Sequence, residues 1–572
     1  MKCKKILAGL FSLGLMLSPI CVYADENNFV AQSADGNEFY TDADSAWQAA
    51  TNGTIIKLTE DWNLNGALTI NEGETVTIEM NGHKIARDLN GDQRSHGEVI
   101  HIKKGATLNL NGNNDSNTCF TYSGYDEENE FGTYSLTSGG LITGGYSNNG
   151  GGIYMNESSH LNINNVAIAG NIADQNLGGG DGGGIFMNGK DSTVTLTNVQ
   201  ITQNRSKGNG GGIYINNDDC TVNMYDSNVS NNQAKNGGGI YVDGSNVIIN
   251  MENSSINDNS VNESGGGIYS NKDATYVCMN KNSNILNNYA KKYGGGIYFD
   301  NPYCQITSGD GLAQVSNNSS GNNGGGVKFE GSSRGNTALV KNITFSSNST
   351  DGYGGAIDLE QSGVTLEKCN FDQNSAKKGG AVHIYAENTY FTNCTFEENK
   401  ATNQGGAIFI YGSYNAIDGC TIINNRAEVE GGGIYQYEKD DITLSGKLVI
   451  KDNKRGGDYA DDLMLQKNGL YTAYVKGEVK EGSSVGIRTG DTGETKIGID
   501  ITSDCSKYFF LNDDGNYHIS YEDGTLHKRS GSLVGSIFGN NNLGVAVLMM
   551  MGIVAIGVVC LIAHKKKNCE EA

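Results

Sequence analysis

An all-β chain wound as a parallel β-helix, a solenoid of stacked coils, is the fold that three observations predict. A Gly-Gly-(Gly/Ala)-(Ile/Val) unit recurs eleven times, with its Ile or Val at 153, 185, 213, 240, 268, 297, 327, 357, 382, 408 and 434. A second unit, apolar-x-x-Asn, keeps step with it through Asn171, Asn204, Asn232, Asn259, Asn288, Asn318, Asn348, Asn374, Asn399, Asn425 and Asn453. Between the two, runs such as DSTVTLTN and GVTLEKCNF alternate apolar with polar residues, which is the period of a strand, and no helical period is sustained. Repeats of 25 to 32 residues, each with three short strands, describe coils that bury an inward column and stack on one another.

Composition agrees. With 81 Gly but only 2 Pro in 572 residues the chain is not collagen-like, and its regular Ile, Val, Phe and Tyr separate it from disordered chains. Glycine permits the sharp corners, and asparagine tolerates left-handed backbone there. Asparagines recurring at one corner are placed to bond from coil to coil at about 4.8 Å spacing. From each asparagine to the next Ile or Val the distance is 8 or 9 residues, except for one of 14 at NLGGGDG, whereas the rest of the repeat varies from 17 to 21. One corner is fixed and another accepts insertions.

Taken in chain order, residues 1–24 read as a secretory signal peptide: Lys2, Lys4 and Lys5 precede an apolar run that ends at Val22-Tyr23-Ala24. Residues 25–150 hold a cap containing Trp47, about three atypical coils, and an acidic, aromatic insertion near 113–138. The repetitive helix runs over 151–467, a small β unit over 468–529 and a linker over 530–542. The uncharged run 543–563 is long enough for a single transmembrane helix, and His564 to Lys567 begin a cytoplasmic tail, 564–572. This predicts an exported, single-pass cell-membrane protein with its ectodomain outside. Setting aside three lysines at each end, Glu570 and Glu571 leaves that ectodomain a net charge of -27, which excludes nucleic acid as a partner.

The residues GGAI at 354–357 and 405–408, with FSSN at 345, FDQN at 371 and FEEN at 396, resemble the paired repeats of the chlamydial polymorphic outer membrane proteins. More broadly, 151–465 is similar to bacterial right-handed parallel β-helix surface proteins. The resemblance implies a right-handed solenoid and an adhesin-like role. This chain ends in one apolar run where those proteins carry an autotransporter barrel.

Candidate chemistry sits on one column. In GGGIY the Ile points in and the next residue out. That next residue is aromatic in eight coils (Tyr154, Phe186, Tyr214, Tyr241, Tyr269, Tyr298, Phe409 and Tyr435), and the exceptions, Lys328, Asp358 and His383, are consecutive. Two residues on, a parallel column holds Asp300, Glu330, Glu360, Tyr385, Tyr411 and Tyr437. Carboxylates about 5 or 10 Å apart on stacked coils bracket glycosidase spacings. Asp358, Glu360, Glu330 and His383 are therefore the catalytic candidates, and Lys328, Tyr298, Tyr385, Phe409 and Tyr411 the ligand-binding ones. The plainer reading is a solvated, stacked face. No residue set has metal-ligand spacing, and the only cofactor considered is calcium between acidic side chains. Cys369, Cys394 and Cys420 share one repeat position and are expected as a buried thiol ladder. The leading functional expectation is an adhesin for surface glycans or proteins; a polysaccharide lyase or hydrolase and a passive stalk are the alternatives.

Overall fold

The computed structural model describes residues 31–32, 39–40, 43–87, 96–112, 119–123 and 133–531, apart from 175, 177–178, 302, 332–337, 438–440, 469–470, 473, 492 and 513–515. The expected signal peptide, membrane helix and tail, and all but the start of the linker, lie outside these residues. Among the described residues no helix is long and apolar enough to cross a membrane.

Each repetitive coil contributes four strands to the ladders, one more than the three expected, because a two-residue strand follows the ladder asparagine. The coil beginning at Ile153 is typical: a glycine strand Ile153–Met155 follows the glycine corner, then come a long strand His160–Asn164, an asparagine strand Val166–Ala169 and a two-residue strand Ile172–Ala173. Equivalent strands pair in register with the next coil, Ile153 with Ile185, Leu161 with Val194 and Ile168 with Ile201. Fourteen glycine strands stack in this way from Leu68–Ile70 to Leu463–Leu465. Alternation follows directly: in the long strand Leu161 and Ile163 face in while His160 and Asn162 face out. The inward residues form one continuous apolar column along the rod.

The ends differ from the middle. At the N-terminus the short helix Ala43–Ala49 places Ala46 in the core, and Trp47 packs edge-on against Trp62 at 6.1 Å. The insertion is an antiparallel hairpin, Cys119–Ser123 with Thr133–Ser138. At the C-terminus the parallel ladders run past 468: Val449 and Ile450 pair with Ser484 and Val485, which pair onward to Phe509. The β unit expected over 468–529 is thus built onto the solenoid and finished by the hairpin Tyr517–Glu522 with Thr525–Ser530.

The second corner is held by asparagine. From Asn171 to Asn425 every Nδ2 donates to the Oδ1 of the asparagine one coil on, at 2.9 to 3.1 Å. The same Oδ1 accepts the backbone N–H of the preceding asparagine, as in Asn204 N to Asn232 Oδ1 at 3.0 Å. The other amide hydrogen goes to a main-chain carbonyl one coil back, Asn318 to Ile285 O at 2.9 Å. Two donors and both acceptor lone pairs of a buried side chain are satisfied, which no other residue of this length achieves. The expectation that these asparagines themselves adopt left-handed backbone is corrected: the residue before each does so, as in Gln203 (φ 55), Asp258 (φ 55) and Glu398 (φ 54). The bend and the bond are divided between neighbours. Asp462 ends the ladder, accepting from Asn453 N and Nδ2 at 2.8 and 2.9 Å and from Asn512 Nδ2 at 2.7 Å.

Replacing Asn318 by Ala strips the acceptor from two buried donors of Asn288. Urea unfolding is expected to show a loss of about 3 kcal/mol. Asn162→Ala, which removes an exposed bond to Asn109, is expected to stay within about 0.5 kcal/mol.

Candidate functional site

The column that interrupts the aromatic stripe is assembled by the glycine strands Tyr298, Lys328, Asp358, His383, Phe409 and Tyr435 share. These residues are consecutive partners in register. On the N-terminal side the rings stack continuously, with centroids 5.2 Å apart for Tyr154 and Phe186 and 4.8 Å for Tyr241 and Tyr269. On the C-terminal side the stack resumes at Phe409 and Tyr435, 5.3 Å apart.

The expectation of an exposed column is corrected. Lys328 is 1% exposed, Asp358 0%, His383 5%, Tyr298 6% and Phe409 3%. The column does point away from the coil core, but the chain entering each glycine corner crosses over it. At Gly237 a Cβ would lie 2.7 Å from the Cβ of Tyr241, so the corner sits directly on the column, at φ 59. Over the ionic residues the position just before the corner is bulky. The Tyr293 ring lies 5.3 Å from Lys328 Nζ, Tyr353 stacks on His383 at 4.7 Å, and Lys378 Nζ lies 4.5 Å from the Phe409 ring. Sequence reasoning missed these three, although each is the residue immediately before a Gly-Gly pair and a column could have been read there too.

The two columns are wired together diagonally. Tyr269 donates its phenol hydrogen to Asp300 at 2.9 Å and Tyr298 to Glu330 at 2.6 Å, each acid belonging to the following coil. Lys328 repeats the pattern with an ammonium, reaching Glu360 Oε1 at 2.7 Å. It also contacts Asp358 Oδ2 at 2.8 Å and lies 3.8 Å from Glu330. The other oxygen of Asp358, Oδ1, is 2.6 Å from His383 Nδ1. Burial raises the Asp358 carboxyl, but His383 and then Lys328 outweigh it and hold it below the ordinary value. Burial likewise works against the Lys328 charge, and Asp358 with Glu360 turns the shift upward. Burial and the Glu330 contact push the Tyr298 phenol far above its usual range.

The accessible part of the site is its rim. The Glu330 and Glu360 side chains are 39% and 37% exposed. Next to them Tyr385 is 57% exposed and stacks on Tyr411 at 4.8 Å, which stacks on Tyr437 at 5.2 Å. Of the sequence candidates, then, Lys328, Asp358, His383, Tyr298 and Phe409 are brought together under cover, while Glu330, Glu360, Tyr385 and Tyr411 line one open edge. Among the described residues no group of three or more His, Cys, Asp or Glu side chains is placed to hold a metal ion.

The cysteines stack as expected. Cys369, Cys394 and Cys420 are buried and unbridged, Cys369 and Cys394 sharing thiol hydrogens with Val340 O and Leu366 O of the preceding coil. Burial pushes the Cys220 thiol up to about 11 and the Cys304 thiol up to about 12.

The right handed beta helix region family matches residues 267–449 and 335–548. The Chlamydia polymorphic membrane protein repeat matches residues 198–216 and 226–243. The chain is a right-handed β-helix repeat protein with polymorphic-membrane-protein-like repeats. Each of the latter matches spans one ladder asparagine, Asn204 or Asn232, and the glycine corner that follows it. They fall on repeats N-terminal to the GGAI and FxxN pairs that suggested the likeness. No curated protein matches the chain.

Of Cys220, Cys278, Cys304, Cys369, Cys394, Cys420 and Cys505, Cys278 alone is partly exposed. A thiol reagent at about pH 8 is expected to label Cys278 in the folded protein and the other six only after denaturation, because burial keeps the reagent away from their sulfurs. Rapid native labelling of Cys394 would contradict the buried ladder.

Proposed function

We propose that this protein is a cell-surface, adhesin-like rod that binds glycans or proteins of host or bacterial surfaces. The single observation that carries the reading is the open tyrosine stack Tyr385, Tyr411 and Tyr437 beside the half-exposed Glu330 and Glu360. Rings stacked about 5 Å apart on a rigid sheet present a row of edges and hydroxyls, the most exposed ring, Tyr385, ends the stack and can take a sugar ring on its outer face, and adjacent carboxylates accept hydroxyl hydrogens. An extended repeat surface of this kind suits a large ligand contacted over several coils. The surface setting is supported by the polymorphic membrane protein likeness and by the composition of residues 1–24 and 543–563. In this reading the ionic residues beneath the rim give the strip its charge and rigidity.

The alternative, an enzyme acting on extracellular polysaccharide, is favoured by Glu330 and Glu360 lying on adjacent coils beside the same stack, with Asp358 and His383 behind them. Calcium bridging the two glutamates belongs to that alternative.

One experiment separates the two. Exported protein is incubated with plant, mucin and bacterial polysaccharides, with and without calcium, while retention and new reducing ends are both followed. Retention without cleavage, weakened about tenfold by Tyr385→Ala or Tyr411→Ala through loss of one stacked ring, is the expected result. Cleavage that disappears with Glu330→Gln and Glu360→Gln would replace the adhesin reading with the enzymatic one.

A further inference from the structure

We propose that Lys328 and Asp358 are joined by an intramolecular amide bond which the folded protein forms by itself, tying two neighbouring coils covalently. The inference does not depend on what the rod binds.

Lys328 and Asp358 are direct partners on adjacent parallel strands, and Nζ lies 2.8 Å from Oδ2 with both side chains buried. A lysine amine and a carboxyl group held this close, out of water, are reactants at very high effective concentration. Water, which drives the reverse reaction, is kept out by the chain crossing the column and by the Tyr293 and Tyr353 rings.

The surrounding groups supply the rest of the chemistry. Glu360 Oε1 is 2.7 Å from Nζ and its side chain remains partly exposed, so it can take a proton from the ammonium and pass it on. His383 Nδ1, 2.6 Å from Asp358 Oδ1, donates a hydrogen bond to the oxygen that becomes negative as the carbon is attacked. The step balances without any further reagent. Nζ forms a bond to Cγ of Asp358, the bond from Cγ to Oδ2 breaks, and two of the three ammonium protons leave with Oδ2 as water by way of Glu360. Oδ1 remains as the amide carbonyl oxygen and Nζ keeps one hydrogen. Glu360 and His383 end as they began.

Energetics point the same way. Every other described coil fills this position with a ring except at these three residues and at the ends, and rings stack there without charge. A buried ion pair in their place recovers little beyond its own desolvation cost. Lys328 and Asp358 keep their charges against burial only through each other and through His383 and Glu360, and condensation removes both charges at once. The bond also closes a loop between residues 30 apart, which restricts the unfolded chain as a disulfide would.

The test is peptide mass spectrometry of the whole exported chain after denaturation and proteolysis. Wild type is expected to release one branched peptide containing Lys328 and Asp358, lighter than its two linear components by one water. Asp358→Asn is expected to give the same branched product with ammonia leaving instead. Glu360→Gln is expected to fold, by its circular dichroism, and to yield the two linear peptides. Recovery of the linear peptides in full from wild type overturns the proposal, and a Glu360→Gln protein linked as completely as wild type overturns the role given to Glu360.

Discussion

The asparagine ladder is the constraint on which the rest of the rod depends. A hydrophobic interior column is tolerant of sliding, because Ile, Val and Phe pack against one another at many offsets. An amide that must donate to the next coil while accepting twice from the preceding one and capping a carbonyl there is not. Its directional bonds fix where each coil begins relative to the last, and in-register stacking of every other column follows. The single long corner shows how strictly it is kept. In the long corner between Asn171 and Ile185, Asp174 accepts from Tyr146 at 2.6 Å and Lys207 at 3.1 Å, and the next glycine strand still lands on its partner. The extra length is absorbed without breaking the amide chain.

Once register is imposed, a repeat protein becomes a set of columns, and a substitution changes meaning with its neighbours above and below. Tyrosine in the column after the glycine corner stacks on its neighbours and donates to an acid on the next coil. Lysine at 328 keeps the second habit and abandons the first: its ammonium stands where a phenol hydroxyl would and finds Glu360 as Tyr298 finds Glu330. Having no ring to offer Asp358, it meets it as a charge. The ionic island is thus a local variation on a wiring scheme that runs along several coils, and its position follows from where the rings stop.

Much of this was legible in the sequence, because a period repeated eleven times averages out local ambiguity. Coil number, the two corners, the ladder asparagines, the thiol stack and the membership of both outer columns could all be read by aligning GGGI with FxxN. What could not be read was which outward column is covered. Alternation gives the side of the strand on which Asp358 lies, but burial also depends on chain from elsewhere in the coil. The covering residues Tyr293, Tyr353 and Lys378 belong to the segment before the corner, where most coils carry Asn, Ser or Gln and the variation looks like ordinary loop drift. The left-handed residue before each asparagine was only partly legible: it is Gly170 once and Asn or Asp in six other coils, but Gln203, Ser347, Gln373 and Glu398 do not advertise positive φ. The boundary at 468 was misleading for a related reason. Repeat motifs end there, but strands continue, and a strand can join a ladder without carrying the motif.

Repetition creates a hazard that the irregular parts answer. Coils built to one pattern can stack on the wrong neighbour, looping out a whole repeat at little cost in apolar contact. Features that occur once remove that freedom. Lys328 finds Asp358 and Asp358 finds His383 only if three particular coils are consecutive, and any skipped coil leaves a charge buried without its partner, which is far more costly than an imperfect apolar fit. Asp462 acts similarly at the end, since a carboxylate can receive the last asparagine but cannot donate to a further one. Arg488 then pairs with Asp461 at 2.8 Å and closes the same edge. The uniform ladder makes coils stack, and the few unrepeatable polar contacts determine which coil stacks on which.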